Sequence, residues 1–254
     1  MPLSIVPGSW FMDLNNSPQL RIRKAPEELA GGCAEYILKQ LAEALSSQPH
    51  ATIAISGGST PKLLFSALAK AVFNWSKVHF FWVDERCVPP TDDRSNFKLA
   101  NETLLQPAGI RRENVHRIYG EMDPAQAAAR YAAGIKTFFE LSEGELPAFD
   151  LIHRGMGADA HTASLFPGSP LIHNHTDIAA HVWVEKLKMD RVTLLPGVLE
   201  AARCTVLQVV GEDKSNALRH VLTNGEDPLN YPCQIASRDS RAIWFLDEAA
   251  ASKL

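Results

Sequence analysis

An acid and an imidazole stand two residues apart just after a pair of glycines, in the run Gly155-Met-Gly157-Ala-Asp159-Ala-His161. An imidazole titrates near neutral pH, so it can take a proton from water and later return it. A carboxylate beside it can orient the ring. Asp159 also suits the turn itself, and a lone histidine more often serves structure than chemistry. The glycines and the neighbouring acid favour His161 as the reacting group. No serine or cysteine stands in a convincing nucleophile setting, so direct attack by water is expected rather than an acyl-enzyme.

A second group of residues reads as an anion cradle. The run Ala51-Thr-Ile-Ala-Ile55 predicts a short buried strand. It is followed by Ser56-Gly57-Gly58-Ser59-Thr60-Pro61 and by a helix over 62–73, with the proline suited to the first turn. Free backbone N–H groups, the helix dipole and two hydroxyls then face one point, and the glycines let a phosphate come close. The plainer alternative is a tight strand-to-helix turn. The Gly-Lys-Ser/Thr of a nucleotide P-loop is absent, which favours a sugar phosphate over ATP.

The elements around these residues alternate. A helix opens at Pro26-Glu27-Glu28 and carries the apolar stripe Leu29, Cys33, Tyr36, Ile37, Leu41 and Leu45. Val78–Val83 reads as a buried strand ending in Asp84-Glu85-Arg86, and Ser95 as an N-cap for a helix through Leu105. Val115–Ile118 predicts a short strand, and Asp123-Pro124 starts a helix over about 124–142. The strand 149–154 leads to the glycines, and its His153 and Arg154 need partners if buried. Short strands are expected at 182–184, 190–195, 205–210 and 241–246, the last with Asp247 capping a short helix. Strands alternating with helices imply a mainly parallel α/β sheet with helices on both faces. One domain, 1–254, is the simplest division, with an irregular entry at 1–25 and a small lobe at about 120–185.

Composition excludes several classes. Lys and Arg number 25 against 29 Asp and Glu, a net charge of −4, so no basic field for nucleic acid exists and any anion must be held locally. The four cysteines, 33, 87, 204 and 233, form no C-x-x-C pair and fit a reducing, cytoplasmic compartment. No run approaches the roughly 20 apolar residues of a membrane span, and the first residues lack a signal-peptide pattern. His173, His175 and His181 read as surface histidines, without an acid or cysteine to complete a metal set. The tripeptide Ser252-Lys253-Leu254 matches a peroxisomal address, but reads more simply as a polar chain end.

Taken in order, the motifs carry a resemblance. They are Ser56-Gly-Gly-Ser-Thr-Pro61, Asp84-Glu-Arg86 with Val88-Pro89, Ser95-Asn96, Gly155-x-Gly-x-Asp-x-His-Thr-Ala-Ser-Leu-Phe-Pro167, Arg191-Val-Thr-Leu and Gly211-x-x-Lys214. From about residue 20 onward the ordered set resembles the 6-phosphogluconolactonase branch of the glucosamine-6-phosphate isomerase/6-phosphogluconolactonase superfamily. After the histidine, Thr-Ala-Ser-Leu-Phe-Pro is similar to the lactonase form rather than the deaminase form. The resemblance implies a Rossmann-like fold and no metal or organic cofactor. It also implies hydrolysis of 6-phospho-D-glucono-1,5-lactone to 6-phospho-D-gluconate in the pentose phosphate pathway.

On that footing His161 is the expected base and then acid, with Asp159 orienting it or lining the sugar pocket. The phosphate is expected on the 56–60 turn, with Arg191 and Lys214 supplying charge and Asp84 and Arg86 lining the cleft. The chain departs from the family pattern at His153 and Arg154, usually apolar, and at Ala160, usually glycine. If that glycine needs φ > 0, Ala160 is strained; Arg154 is expected to place a further cation near the site. Two rival readings stay open: a sugar-phosphate deaminase or isomerase, and a non-catalytic sugar-phosphate sensor.

Overall fold

Runs too apolar to face water on either side set the architecture. The computed structural model describes residues 17–58 and 60–254. In chain order the elements are β1 (Gln19–Arg23), α1 (Pro26–Ser47), β2 (Ala51–Ile55), α2 (Pro61–Lys70), β3 (Val78–Trp82), β4 (Asp84–Arg86), α3 (Asn96–Ala100), β5 (Val115–His116), α4 (Pro124–Phe138), β6 (Leu151–Arg154), β7 (Ala179–Val184), β8 (Met189–Leu194), α5 (Pro196–Ala201), β9 (Thr205–Val209), α6 (Ser215–Thr223) and β10 (Ala242–Asp247). β2, β6, β9 and β10 are buried at every position, as strands covered by helices on both faces must be.

Among the described residues seven strands form one sheet in the order β1-β10-β9-β6-β2-β3-β5, every neighbouring pair parallel. From β2 the chain works outward through β3 to β5. From β6 it works the other way through β9 to β10. The direction therefore reverses between β2 and β6, and a crevice opens beyond the carboxyl ends of those two strands.

A second, antiparallel sheet, β4-β8-β7, stands beside the first. The order of motifs predicts a mainly parallel sheet and does not anticipate this one. Its shortest member, β4, is three residues long and owes its strand geometry to pairing with Arg191–Thr193.

The local signals act as read. α1 buries Leu29, Cys33, Ile37 and Leu41 at helical spacing against the sheet. The Ser95 hydroxyl accepts the Lys98 N–H at 3.2 Å and the Asp123 carboxylate accepts the Gln126 N–H at 3.1 Å, capping α3 and α4. After Ala100 the helix widens into a π turn over Asn101–Leu105. Residues 248–253 form turns rather than the expected helix; Asp247 does accept the Ala250 N–H at 2.7 Å, but it also takes the Gly211 N–H, which ties the end of β10 to the turn after β9. Among the described residues no helix is long and apolar enough to cross a membrane.

Candidate active site

The crevice at the β2–β6 reversal holds a cleft of about 540 Å³. Ser56, Gly57, Gly58 and Thr60 line it from the end of β2, Asp84 and Arg86 from β4, and His161 from the turn after β6. Arg191 of β8 and Lys214, in the turn after β9, complete the walls. The structure thus brings together every predicted site residue among the described ones except Asp159, which stands directly behind His161. Ser59 lies outside the described residues.

The turn after β2 needs its glycine. Gly58 has φ +115, a backbone conformation side chains rarely adopt, and Pro61 then starts α2. Ser56 is buried and its hydroxyl has no hydrogen-bond partner among the described residues.

The His161 turn is locked by its own backbone. Gly157 N–H donates to His161 O at 2.9 Å, and Ala160 N–H to Gly157 O at 3.0 Å. Ala160 sits at φ +63, so alanine does occupy the strained conformation expected where the family has glycine. A Cβ on Gly157 would lie 2.0 Å from His161 Nδ1, so only glycine lets the imidazole lie back on the chain.

His161 Nδ1 meets Asp159 Oδ1 at 2.5 Å, and the same oxygen accepts the His161 N–H at 3.2 Å. Burial alone would raise the Asp159 pKa. Hydrogen bonds from His161 and Lys186 outweigh it and hold the carboxyl well below the usual range. With Nδ1 engaged, Nε2 is the ring nitrogen left for water. Phe166 stacks on the imidazole at 4.3 Å and 27°.

The opposite wall is cationic and braced. Arg191 is buried, 3.5 Å from Asp84 Oδ2 and from Ser164 Oγ; Ser164 in turn donates to Asp84 Oδ2 at 2.7 Å. Burial lowers the Arg191 pKa and Asp84 opposes that shift. Arg86 donates to the carbonyl of Arg94, and Lys214 pairs with Asp213.

Glu85, between two cleft residues, does structural work. Its carboxylate accepts N–H groups from Arg86, Asn96 and Phe97 and the Ser95 hydroxyl. Burial raises its pKa against the pull of these bonds. This clamp fixes the start of α3, so Asn96 lines the cleft with its amide donating to Asp84 O at 2.8 Å.

Arg154 departs from its expectation. Successive side chains on a strand point to opposite faces, so His153 lines the cleft and Arg154 does not. Arg154 is fully buried and donates to the carbonyls of Ile235 and Ala236, the latter at 2.9 Å, and to Thr162 Oγ1 at 3.4 Å. It tethers the segment after α6 instead of adding a cation to the site. His153, also fully buried, faces the side chain of Gln208 on neighbouring β9; burial pushes its pKa down to about 4, and the hydrogen bond with Gln208 only partly opposes that shift. Gln208 lines the same cleft.

Buried polar atoms without a hydrogen-bond partner among the described residues concentrate in the lining of this cleft, on Ser56, Arg86, Asn96 and Arg191. Such groups are costly unless a bound molecule or water satisfies them. Asn96, Ser164, His153 and Gln208 escaped the sequence reading as site residues. Asn96 stood inside a quoted motif, which was the available signal; Gln208 gave none. His173, His175 and His181 are exposed, as read, and His175 pairs with Glu200 at 2.9 Å.

Fold and site together define a doubly wound α/β protein with a polar, cation-walled cleft at its switch point. The chain belongs to the glucosamine-6-phosphate isomerase/6-phosphogluconolactonase family, whose model matches residues 24–244. It is 37% identical over 221 residues to a 6-phosphogluconolactonase from Nostoc, covering 87% of this chain and 91% of that one. It is 36% identical to the 6-phosphogluconolactonase of Synechocystis, covering 94% and 99%. Among solved structures, the devB protein superposes with a TM-score of 0.82 at 34% identity over 93% of this chain and 99% of its own. The 6-phosphogluconolactonase of Thermotoga maritima gives 0.79 at 26% over 91% and 99%. A monomeric glucosamine-6-phosphate deaminase shares the fold, at TM-score 0.79 and 16% identity.

Proposed function

We propose that the chain hydrolyses 6-phospho-D-glucono-1,5-lactone to 6-phospho-D-gluconate, the lactone step of the pentose phosphate pathway, with His161 as general base. The observation that carries this reading is the Asp159-bound imidazole in one cleft with the Gly58 turn and the two cations Arg191 and Lys214. The phosphate sits on the 56–60 turn at the start of α2, where N–H groups and the helix dipole favour an anion, and Lys214 and Arg191 neutralise its charge.

Asp159 keeps the proton on Nδ1, so Nε2 is the basic nitrogen. It takes a proton from a water molecule as that water's oxygen bonds to the lactone carbonyl carbon. The carbonyl oxygen becomes an oxyanion facing the cationic wall. When the intermediate collapses, the bond to the ring oxygen breaks, and the imidazolium returns its proton to that oxygen. The product carries a new hydroxyl and a carboxylic acid, which loses the attacking water's second proton to solvent to become the carboxylate.

The test is a lactonase assay with freshly made lactone, the spontaneous rate subtracted. His161→Ala lowers kcat by roughly 10² or more. A near-normal kcat in that variant refutes the base role. Ammonia released from glucosamine 6-phosphate marks the deaminase alternative, and binding of 6-phosphogluconate without faster lactone loss marks the sensor.

A further inference from the structure

The Asp159–His161 pair is part of a larger clamp. Asp159 presents one oxygen, Oδ1, to the imidazole and to the His161 N–H; its other oxygen, Oδ2, is held by the ammonium of Lys186. Lys186 Nζ also lies 4.5 Å from the centre of the Phe166 ring, the ring that stacks on the imidazole. One lysine therefore touches both residues that bracket His161.

Its position is fixed by the β7–β8 hairpin. Lys186 belongs to the short 3-10 turn Glu185–Leu187, which Lys188 closes in a left-handed conformation at φ 49. Its chain neighbour Glu185 is already engaged by Lys188 and by the Trp183 indole N–H at 2.6 Å. Asp159 is the carboxylate left for Lys186.

We propose that Lys186 is a positioning residue for His161, acting through Asp159. Its ammonium fixes the carboxylate oxygen that does not face the ring, and so sets the orientation in which Nε2 meets water. The proposal rests on the reading of His161 as base. The ion pair is half-exposed, and pairs of that kind add little stability. Its effect therefore belongs to turnover and not to folding.

Steady-state kinetics with fresh 6-phosphogluconolactone test this. Misplacing a reacting group carries large rate costs, so Lys186→Met lowers kcat about tenfold and leaves KM within about twofold. Lys186→Arg, which keeps the charge, retains kcat within about threefold. In an Asp159→Asn background, adding Lys186→Met causes no further loss, because the residue it acts through is already altered. A kcat for Lys186→Met within about twofold of the parent, a loss confined to KM, an arginine variant as slow as the methionine one, or an additive loss in the double variant overturns the proposal. Inactive His161→Ala beside normal Lys186→Met rejects the lysine's role alone; active His161→Ala rejects the base as well.

Discussion

His153→Leu isolates the cost of burying an imidazole under the cleft. The folded chain holds this histidine neutral, with a pKa of about 4 against an ordinary 6.5, because burial disfavours the charged ring. The sign follows from the unfolded state, which takes the proton first. The histidine exacts no pH penalty above 6.5, and stability is lost progressively as the pH falls from 6.5 toward 4. Each pH unit within that window costs about 1.4 kcal/mol, so acidification from pH 7 to pH 5 removes about 2 kcal/mol through this residue alone. Leucine removes the effect. Half-buried His79 and His116 have lowered pKa values too, but they are common to both proteins and cancel in the comparison. Urea unfolding at pH 7 and pH 5 reads the difference directly. Acidification should favour the variant over the parent by about 2 kcal/mol. An equal response in the two proteins, within about 0.5 kcal/mol, would refute the claim that His153 is buried uncharged.

Gly157→Ala drives a Cβ to 2.0 Å from His161 Nδ1 and 2.7 Å from Asp159 Oδ1; kcat should fall about 100-fold while the melting temperature shifts little, and an unchanged kcat would count against the imidazole's role. Lys214→Met removes a charge-assisted contact to phosphate, so KM should rise about tenfold or more with kcat changed only a few-fold, as initial rates over a lactone series will show.

Local chemistry was readable and long-range pairing was not. The stripe Leu29-Cys33-Ile37-Leu41 declared the inner face of α1, and Ala51–Ile55 declared a covered strand, because each pattern is complete within its own element. The Asp159–His161 pair was readable for the same reason: two residues of one turn need no distant partner to meet. Asp84–Arg86 read as three charges closing the strand 78–83, and form a strand of their own only because β8 pairs with them. Arg154 looked close to the site by its place in the chain, but the pleat turned it to the other face. Ser164 and Lys186 reach the site through contacts across 80 and 27 positions, a distance no periodicity encodes.

Among the described residues the first strand, β1, has one neighbour in the sheet: the last strand, β10, with Gln19 opposite Ile243 and Arg23 opposite Asp247. On the ribosome, β1 therefore waits for β10 until every element between the two has been made. Its row of amide and carbonyl groups stays open to chance pairing during that interval. Two of its five residues are arginines, and such charges discourage another edge from docking there. Docking of β1 is thus a late event, slow as contacts between distant segments are slow, and it leaves this edge of the sheet exposed to misassembly until β10 is in place.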